Sequence, residues 1–522
     1  MEDYGTVLRL APPKKKGLAG LVFSRLFLVA FLLAVQILLL VSMLLWLRQY
    51  LPYYAAIQAV FTFCIILFLF NCEMDSTAKL TWLALISLFP FPGAAFLAYT
   101  RTNLGHRWTQ SRTAELIAQS RGAVAQEAGT LERLRGDPYA TNDLCQYLCR
   151  SGAFPIWKGT EVAYFPSGEE KFASMLTELE KAEKFIFLEY FIIEEGVMWG
   201  GILDILVRKA KQGVDVRVMY DGMCEISTLP SDYPARLEAC GIRAKAFSPI
   251  TPIVSTHYNY RDHRKILVID GKIAYNGGVN LADEYINAKE RFGHWKDTAV
   301  VLRGDAVRSF TLMFLQMWNL TEQVPDFRPQ FLESPAVENA QGFVMPYGDC
   351  PLDEDQAGEA VYIDIMNRAT GYVHIMTPYL ILDGRLESAL KFAAERGVDV
   401  KLILPGIPDK KIPYALAKSH YPPLLKAGVK IYEYTPGFVH AKVFVSDDNR
   451  AVVGTINLDY RSLYHHFECA TYLYRTPCIA DIAADFDTTL EKCRQVTEET
   501  VKHEKLYYKA VGGLMKIIAP LM

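Results

Sequence analysis

Apolar positions are spread unevenly along this chain. Residues 17–47 are almost continuously apolar, broken only by Ser24, Arg25, Gln36 and Ser42. Two further runs follow at 53–70 and 80–100. A helix of about 20 apolar residues crosses a hydrocarbon core, so the pattern predicts an N-terminal membrane region over residues 1–107, with spans near 18–46, 53–70 and 80–100. The first run is longer than the apolar part of a signal peptide and no small-residue cleavage site is clear, so it reads as a span. The third run contains FPFPG at 89–93. Two prolines there must kink or break a helix, which leaves open whether the run crosses or re-enters. Lys14–Lys16 before the first run and Arg101, Arg107 and Arg112 after the third all favour the cytoplasmic face. Three full spans would separate the two groups, so the side of the remaining chain stays open.

Beyond residue 107 the pattern changes to short apolar strands alternating with helical periodicity, and it repeats. KQGVDVRVMYDG (211–222) recurs as ERGVDVKLILPG (395–406), EACGIRAKAF (238–247) as LKAGVKIYEY (425–434), and KFIFLEYFIIEEG (184–196) as YVHIMTPYLILDG (372–384). The offsets are 184, 187 and 188 residues. Each unit reads helix, glycine turn, buried strand. Strand–helix alternation predicts an α/β fold with one mostly parallel sheet per half, with a first domain at 108–335 and a second at 336–522. The final stretch, 507–522, mixes Lys509 and Lys516 with apolar residues, and lying on the membrane or docking on the core are both open to it.

Charge and cysteine usage narrow the chemistry. The chain has 522 residues, is 51% hydrophobic and carries a formal charge of -3. The first 107 residues hold +5 of charge and the rest -8. A disordered or nucleic-acid-coating chain is excluded by that combination, and an acidic catalytic part argues against a nucleic-acid partner. The ten cysteines are scattered, with Cys145 and Cys149 the one close pair and no histidine at zinc-ligand spacing. No metal site is expected, and the thiols read as structural or free.

One pattern carries chemistry, and the repeat carries it twice. HRKILVIDGKIAYNGGVN (263–280) and HAKVFVSDDNRAVVGTIN (440–457) both obey H-x-K-x4-D-x6-G-[GT]-x-N, at an offset of 177. A lone HxK is usually a surface accident, but two gapless copies in equivalent places of a duplication are not. Residues two apart in a strand share a face, so His263 and Lys265 pair, as do His440 and Lys442. The apolar run behind each lysine predicts a central buried strand. A turn at Asp270 or Asp447 then leads to a second strand ending at Asn280 or Asn457, which places histidine, lysine and asparagine at one end of a sheet. The motif aspartates Asp270 and Asp447 count with the catalytic set, but opening a turn suits them better than contact with substrate.

These motifs resemble the paired HKD motifs of the phospholipase D superfamily. NYRDHRKILVIDGKIAYNGGVNLADEY (259–285), GTINLDYRSLYHHFE (454–468), the LEYFII run and TWLALISLFPFPGAAFLAY resemble bacterial cardiolipin synthases of that superfamily, from about residue 80 to the C-terminus. The resemblance implies duplicated phospholipase-D-like domains with central mixed sheets behind a transmembrane helical region. It also implies a multi-pass protein of the bacterial cell membrane that acts on phospholipids without a cofactor or metal. The implied reaction joins two phosphatidylglycerols into cardiolipin and glycerol through a phosphohistidine. His263 is then the nucleophile and His440 the acid–base partner, although the near-symmetry of the copies leaves that order open. Lys265, Lys442, Asn280, Asn457 and Thr455 would hold phosphoryl oxygens. A carboxylate should fix each imidazole: Glu468 for His440 and, in the first half, Asp297 for His263. His257, His465 and His466 read as packing or rim residues. Arg261 and Arg461 are open between headgroup and structural roles.

Overall fold

Four helix-to-strand junctions of the repeat close in the same way. Gly213, Gly241, Gly397 and Gly428 take φ of 92°, 84°, 97° and 96°. Each lets the next residue reach back five positions: Val214 to the Lys209 carbonyl, Ile242 to Leu237, Val398 to Ala393 and Val429 to Leu424, all at 3.0–3.1 Å. A left-handed residue after the helix satisfies the last carbonyls and turns the chain into a strand. Gly-Val-Asp-Val and its relatives are thus stop-helix, start-strand signals.

The computed structural model describes residues 8–11, 34, 38, 41–42, 51–101, 107–136, 142–249, 260–353 and 355–521. The predicted span at 18–46, apart from four positions, and His257 lie outside the described residues. In chain order the strands are β1 (Thr160–Phe165), β2 (Phe185–Tyr190), β3 (Asp215–Asp221), β4 (Arg243–Phe247), β5 (Arg261–Asp262), β6 (Lys265–Ile269), β7 (Ile273–Gly277), β8 (His294–Lys296) and β9 (Ala299–Gly304). The second half contributes β10 (Phe343–Asp349), β11 (Tyr372–Met376), β12 (Asp399–Pro405), β13 (Lys430–Tyr434), β14 (Gly437–Val439), β15 (Val443–Ser446), β16 (Arg450–Gly454), β17 (His466–Tyr474) and β18 (Cys493–Val496). One sheet runs β1-β9-β7-β6-β2-β3-β4 and the other β10-β17-β16-β15-β11-β12-β13-β18.

The sheets are mixed, which corrects the mostly parallel expectation. Along the two strand orders, β2-β3-β4 and β11-β12-β13 are the parallel parts. The motif hairpins β6-β7 and β15-β16 and their neighbours add antiparallel pairs. The helix–strand repeat was visible in sequence; the hairpins were visible too, but alternation alone does not say that they join the same sheet.

The halves share one core. β7 and β9 lie against β16 and β17, and a single buried cluster joins Ile266, Val268, Ala274 and Val300 to Val443, Val445, Ala451 and Val453. Backbone pairing crosses the boundary as well. β5 of the first half pairs with β17 of the second, and β14 of the second with β8 of the first.

At the N-terminal side stand helices α1 (Leu51–Asn71), α2 (Ser76–Leu88) and α3 (Pro90–Arg101), followed by α4 (Arg107–Ser120), which packs on α5 (Val307–Trp318). Of the described helices, α1 is the one long and apolar enough to cross a membrane. The run at 80–100 is therefore two short helices, broken where Pro90 starts α3. Near the C-terminus α6 (Lys411–Lys426) carries α7 (Leu506–Lys516).

Candidate active site

β6 is a buried lysine-led strand at the middle of its sheet, and β15 occupies the equivalent position. His263 and His440 stand immediately before these strands, with Lys265 and Lys442 beside them. Both histidines are held from the opposite half. The His263 backbone N–H donates to the Phe467 carbonyl at 2.9 Å, and that of His440 to the Lys296 carbonyl at 2.7 Å. The residue after each of those carbonyls is a carboxylate, and it meets the histidine's ring. His263 Nδ1 lies 2.8 and 2.9 Å from the two oxygens of Glu468. His440 Nδ1 lies 2.7 Å from Asp297 Oδ2. This reverses the expected assignment, in which each carboxylate served its own half. The reason is topological, because β8 and β17 each leave their own motif and pair with the strand that enters the other one.

Aromatic rings wall both imidazoles. Phe191 meets His263 edge-on at 4.8 Å and His466 lies at 5.2 Å. Around His440 stand Tyr285 at 5.3 Å, Trp295 at 5.4 Å and Phe438 at 6.0 Å. Lys265 Nζ donates to the His263 carbonyl at 2.6 Å. Lys442 Nζ bonds the His440 carbonyl and sits 2.9 and 3.0 Å from that ring's two nitrogens. Among the described residues, His263 Nε2 faces no such donor.

Burial dominates the electrostatics. It lowers His263 well below the usual imidazole value, with Lys265, His466, Lys442 and His440 adding to the effect. Glu468 is pushed up by the same burial against the pull of Lys265 and Thr455. His440 falls to about 4 through burial and Lys442, with Asp297 opposing. Burial would raise Asp297, but the charges of His440 and Lys442 prevail and hold it below its ordinary value. Burial brings Lys265 down to about 8 and Lys442 to about 7. A buried cluster of cationic and potentially cationic groups with so little counter-charge is suited to an anion.

The remaining expected residues divide. Asp270 and Asp447 lie at the far ends of β6 and β15 and touch nothing in this cluster. Asp270 accepts from the N–H groups of Glu183, Lys184 and Phe185 at 2.7–2.8 Å; Asp447 does the same for Thr370, Gly371 and Tyr372 at 2.7–2.9 Å. Each clamps a turn whose two central residues have positive φ (Asp270 54° and Gly271 69°; Asp447 51° and Asp448 54°) to the start of the neighbouring strand. Counting them as catalytic is therefore corrected, and fixing the turn is what they do.

Thr455 also departs from its expected place on phosphate. Its hydroxyl bonds Glu468 Oε2 and accepts from Cys469 N–H at 3.0 Å, so it steadies a carboxylate. Asn280 accepts from Ile192 N–H at 3.1 Å and donates to the Tyr285 hydroxyl at 2.7 Å, which leaves it one amide hydrogen. Asn457 is buried with Oδ1 unpaired. Arg261 is buried beside Asp221 and bonded to the Ser248 carbonyl, a structural position, whereas Arg461 is exposed.

His466, which the sequence reads as a packing or rim residue, is buried beside the cluster, with Nδ1 unbonded and 3.6 Å from Glu468. His263, His466 and Glu468 offer ligand atoms within 4.8 Å of one another. The cations that surround His466, Arg461, Lys265 and Arg261, oppose a metal ion there. Gly278 explains itself only in three dimensions. A Cβ there would lie 2.1 Å from Asp297 Oδ1, so glycine admits the short aspartate where Thr455 supports the longer glutamate.

Comparison with known proteins agrees with this geometry. The family described as cardiolipin synthase, PLD-like domain, matches residues 175–318 and 362–490. An uncharacterized protein of Streptococcus mutans is 59% identical over 461 residues, 88% of this chain and 99% of that protein. Cardiolipin synthases of Alkalihalophilus pseudofirmus and Geobacillus thermodenitrificans are 33% and 35% identical, over 89% and 88% of this chain and 94% and 91% of theirs. A phosphatidylserine synthase of Haemophilus influenzae shares the fold, with a TM-score of 0.54, 15% identity, and coverage of 69% of this chain and 93% of that one. With two motif histidines clamped across the halves of a duplicated α/β unit, the chain belongs to the cardiolipin synthase family of phospholipase-D-like phosphatidyltransferases.

Proposed function

We propose that this chain is a membrane-bound cardiolipin synthase that joins two phosphatidylglycerols and releases glycerol. His263 Nε2 attacks the phosphorus of the first phosphatidylglycerol. The bond from phosphorus to the glycerol oxygen breaks as His440 gives that oxygen a proton. The phosphatidyl group is then carried on His263, and covalent transfer replaces one difficult displacement by two easier ones. His440, now neutral, takes the proton from a hydroxyl of the second phosphatidylglycerol, whose oxygen attacks the phosphorus and frees His263. Lys265 and Lys442 hold the non-bridging oxygens.

One observation carries this reading: two buried histidines, each with Nδ1 on a carboxylate, flank two buried lysines. Burial keeps His263 in the neutral form that attacks, and its Nε2 is the one without a lysine against it, which favours it over His440 as nucleophile. An acid with a value of about 4 would carry little proton at neutral pH. A phosphodiester arriving between the lysines adds a negative charge that raises His440, so the acid charges when substrate binds. The exchange swaps one phosphodiester for another and needs no nucleotide.

The test is incubation of purified, detergent-solubilised protein with phosphatidylglycerol alone, with products quantified by mass spectrometry. Cardiolipin with equimolar glycerol is expected. Phosphatidic acid without cardiolipin would overturn the assignment, because water would be the acceptor.

A further inference from the structure

The membrane-side helices hold information that the hydropathy pattern does not. α2 and α3 have 13 and 12 residues, so each is about 20 Å long at 1.5 Å per residue, too short for a core of about 30 Å. They do not continue one another. The rings of Trp82 and Phe96, 14 positions apart, lie at 5.4 Å, and a Cβ on Gly93 would meet the Ile86 Cα at 3.1 Å. The pair is a hairpin closed by that glycine, with Phe89–Phe91 at its tip.

The tip reaches part of the way along α1. Phe91 stacks on Phe61 at 4.8 Å and approaches Tyr54 at 6.1 Å, while α1 itself extends for 21 residues with apolar side chains such as Tyr53, Ile57 and Phe70 exposed. Both ends of the hairpin return to the catalytic unit. At the start, Asp75 caps α2 and the Thr81 hydroxyl bonds the Ile517 carbonyl at 2.6 Å. After α3 the chain enters α4, where Gln110 bonds the Leu352 carbonyl at 2.8 Å and Arg112 that of Glu322 at 3.0 Å.

A second, independent observation concerns the N-terminus. The N–H groups of Leu10 and Ala11 donate to Glu195 Oε1 at 3.0 and 3.2 Å, and Arg236 donates to the Leu10 carbonyl at 2.6 Å. Ala11 is buried among first-half core residues. The chain just ahead of Lys14–Lys16 is therefore fastened to the catalytic unit.

We propose that residues 76–101 form a re-entrant hairpin, so that residues 8–11, both hairpin ends and the catalytic unit share the cytoplasmic face. Ala11 and Asn71 then lie on one face, with α1 long and apolar enough for one crossing between them. The arrangement puts Lys14–Lys16 and Arg101, Arg107 and Arg112 on the same side, which removes the conflict that three spans create. It also gives α7 a place. Gly512 packs against the Ala415 carbonyl of α6 and the chain just beyond α7 meets α2 through Ile517, so that the exposed Leu506 and Leu514, at 80% and 65%, would face lipid at the interface. The proposal rests on the membrane reading of this family and not on the identity of the lipid acceptor.

Glu73→Cys and Arg107→Cys, one on each side of the hairpin, separate the alternatives in the full-length protein. Spheroplasts and inverted vesicles are treated with a membrane-impermeant maleimide, and labelled cysteines are mapped by mass spectrometry to set aside the native ones. Both positions should label in inverted vesicles and neither in intact spheroplasts. Labelling of Arg107→Cys from the face opposite Glu73→Cys would overturn the hairpin, and labelling of both only in spheroplasts would overturn the cytoplasmic face. An epitope on the N-terminus of the otherwise unchanged chain is the second measurement. Protease should remove it only in inverted vesicles, and removal in spheroplasts would overturn the shared face.

Discussion

The crossing of the carboxylates can be decided by two substitutions, Glu468→Gln and Asp297→Asn. In the proposed mechanism His263 takes the phosphatidyl group, and its ring would then be cationic with a carboxylate 2.8 Å from Nδ1. Taking about 4 Å between charge centres and an effective dielectric near 20, that carboxylate stabilises the ring by about 4 kcal/mol, or roughly 10³ in rate. Glutamine keeps a neutral hydrogen bond, so the expected loss is about 10²- to 10³-fold. Its amide is uncharged, and burial already pushes the Glu468 carboxyl up, so thermal unfolding should change little.

The assay separates the steps by leaving group. A phosphatidyl ester of p-nitrophenol needs no protonation on departure, so the first step depends on the nucleophile alone. Glu468→Gln should slow the p-nitrophenol burst by the full factor. Asp297→Asn, which acts on His440, should keep a near-normal burst and then stall, because the base that activates the acceptor is misoriented. Trapped phosphatidyl-enzyme should therefore accumulate in Asp297→Asn and not in Glu468→Gln. The reverse pattern would refute the pairing of Glu468 with the nucleophile, and equal loss of burst in both would refute the division of labour.

In the proposed role the two lysines would hold phosphate only while charged, and they lie at about 8 and 7 in the substrate-free site. The kcat/KM profile should therefore fall as pH rises through 7–8, and Lys442→Arg, which stays charged, should move that limb upward; an unmoved limb in pH–rate measurements would remove Lys442 from this role. Asp270→Asn should cost about 1–3 kcal/mol in denaturant unfolding, because an amide cannot accept three N–H bonds with a carboxylate's strength, while kcat stays within about twofold. A collapse of kcat with unchanged stability would return Asp270 to the chemistry.

What was legible in the sequence was local. Gly213 and Gly397 mark the same helix stop in both copies because a left-handed residue is needed at one place, whatever surrounds it. The motif hairpins could be placed because KILVI and its partner are too apolar to sit anywhere but a sheet centre. The carboxylates could be named, but the sequence assigns each to the histidine of its own half, and the structure exchanges them. Asp297 follows the first motif histidine by 34 residues and Glu468 the second by 28, and nothing in that spacing says that β8 and β17 cross to the other half. Thr455 counted as a phosphate ligand by the resemblance; its bond to Glu468 depends on a strand 13 residues away. The break at 89–93 was readable, but hydropathy is the same for a kinked span and a hairpin, and only the contact of Trp82 with Phe96 distinguishes them.

The duplication and the crossing together constrain how this site works. Either half alone would present a motif histidine whose Nδ1 has lost its carboxylate and whose backbone N–H has lost its acceptor, so the site exists only where the halves meet. That interface is also where the copies differ. One histidine receives a two-oxygen contact from a glutamate braced by Thr455, and leaves Nε2 clear of lysine. The other receives one oxygen of an aspartate, admitted by Gly278, and has Lys442 against its ring. A strictly symmetric pair would have no reason to choose an attacker. Here a firmly held, open imidazole is suited to carry the phosphatidyl group, and an imidazole whose charge is set by a neighbouring ammonium and an arriving phosphodiester is suited to pass protons. The Gly278–Asp297 and Thr455–Glu468 exchanges are thus a single adaptation, in which altering one member of a pair without the other should disturb the histidine of the opposite half.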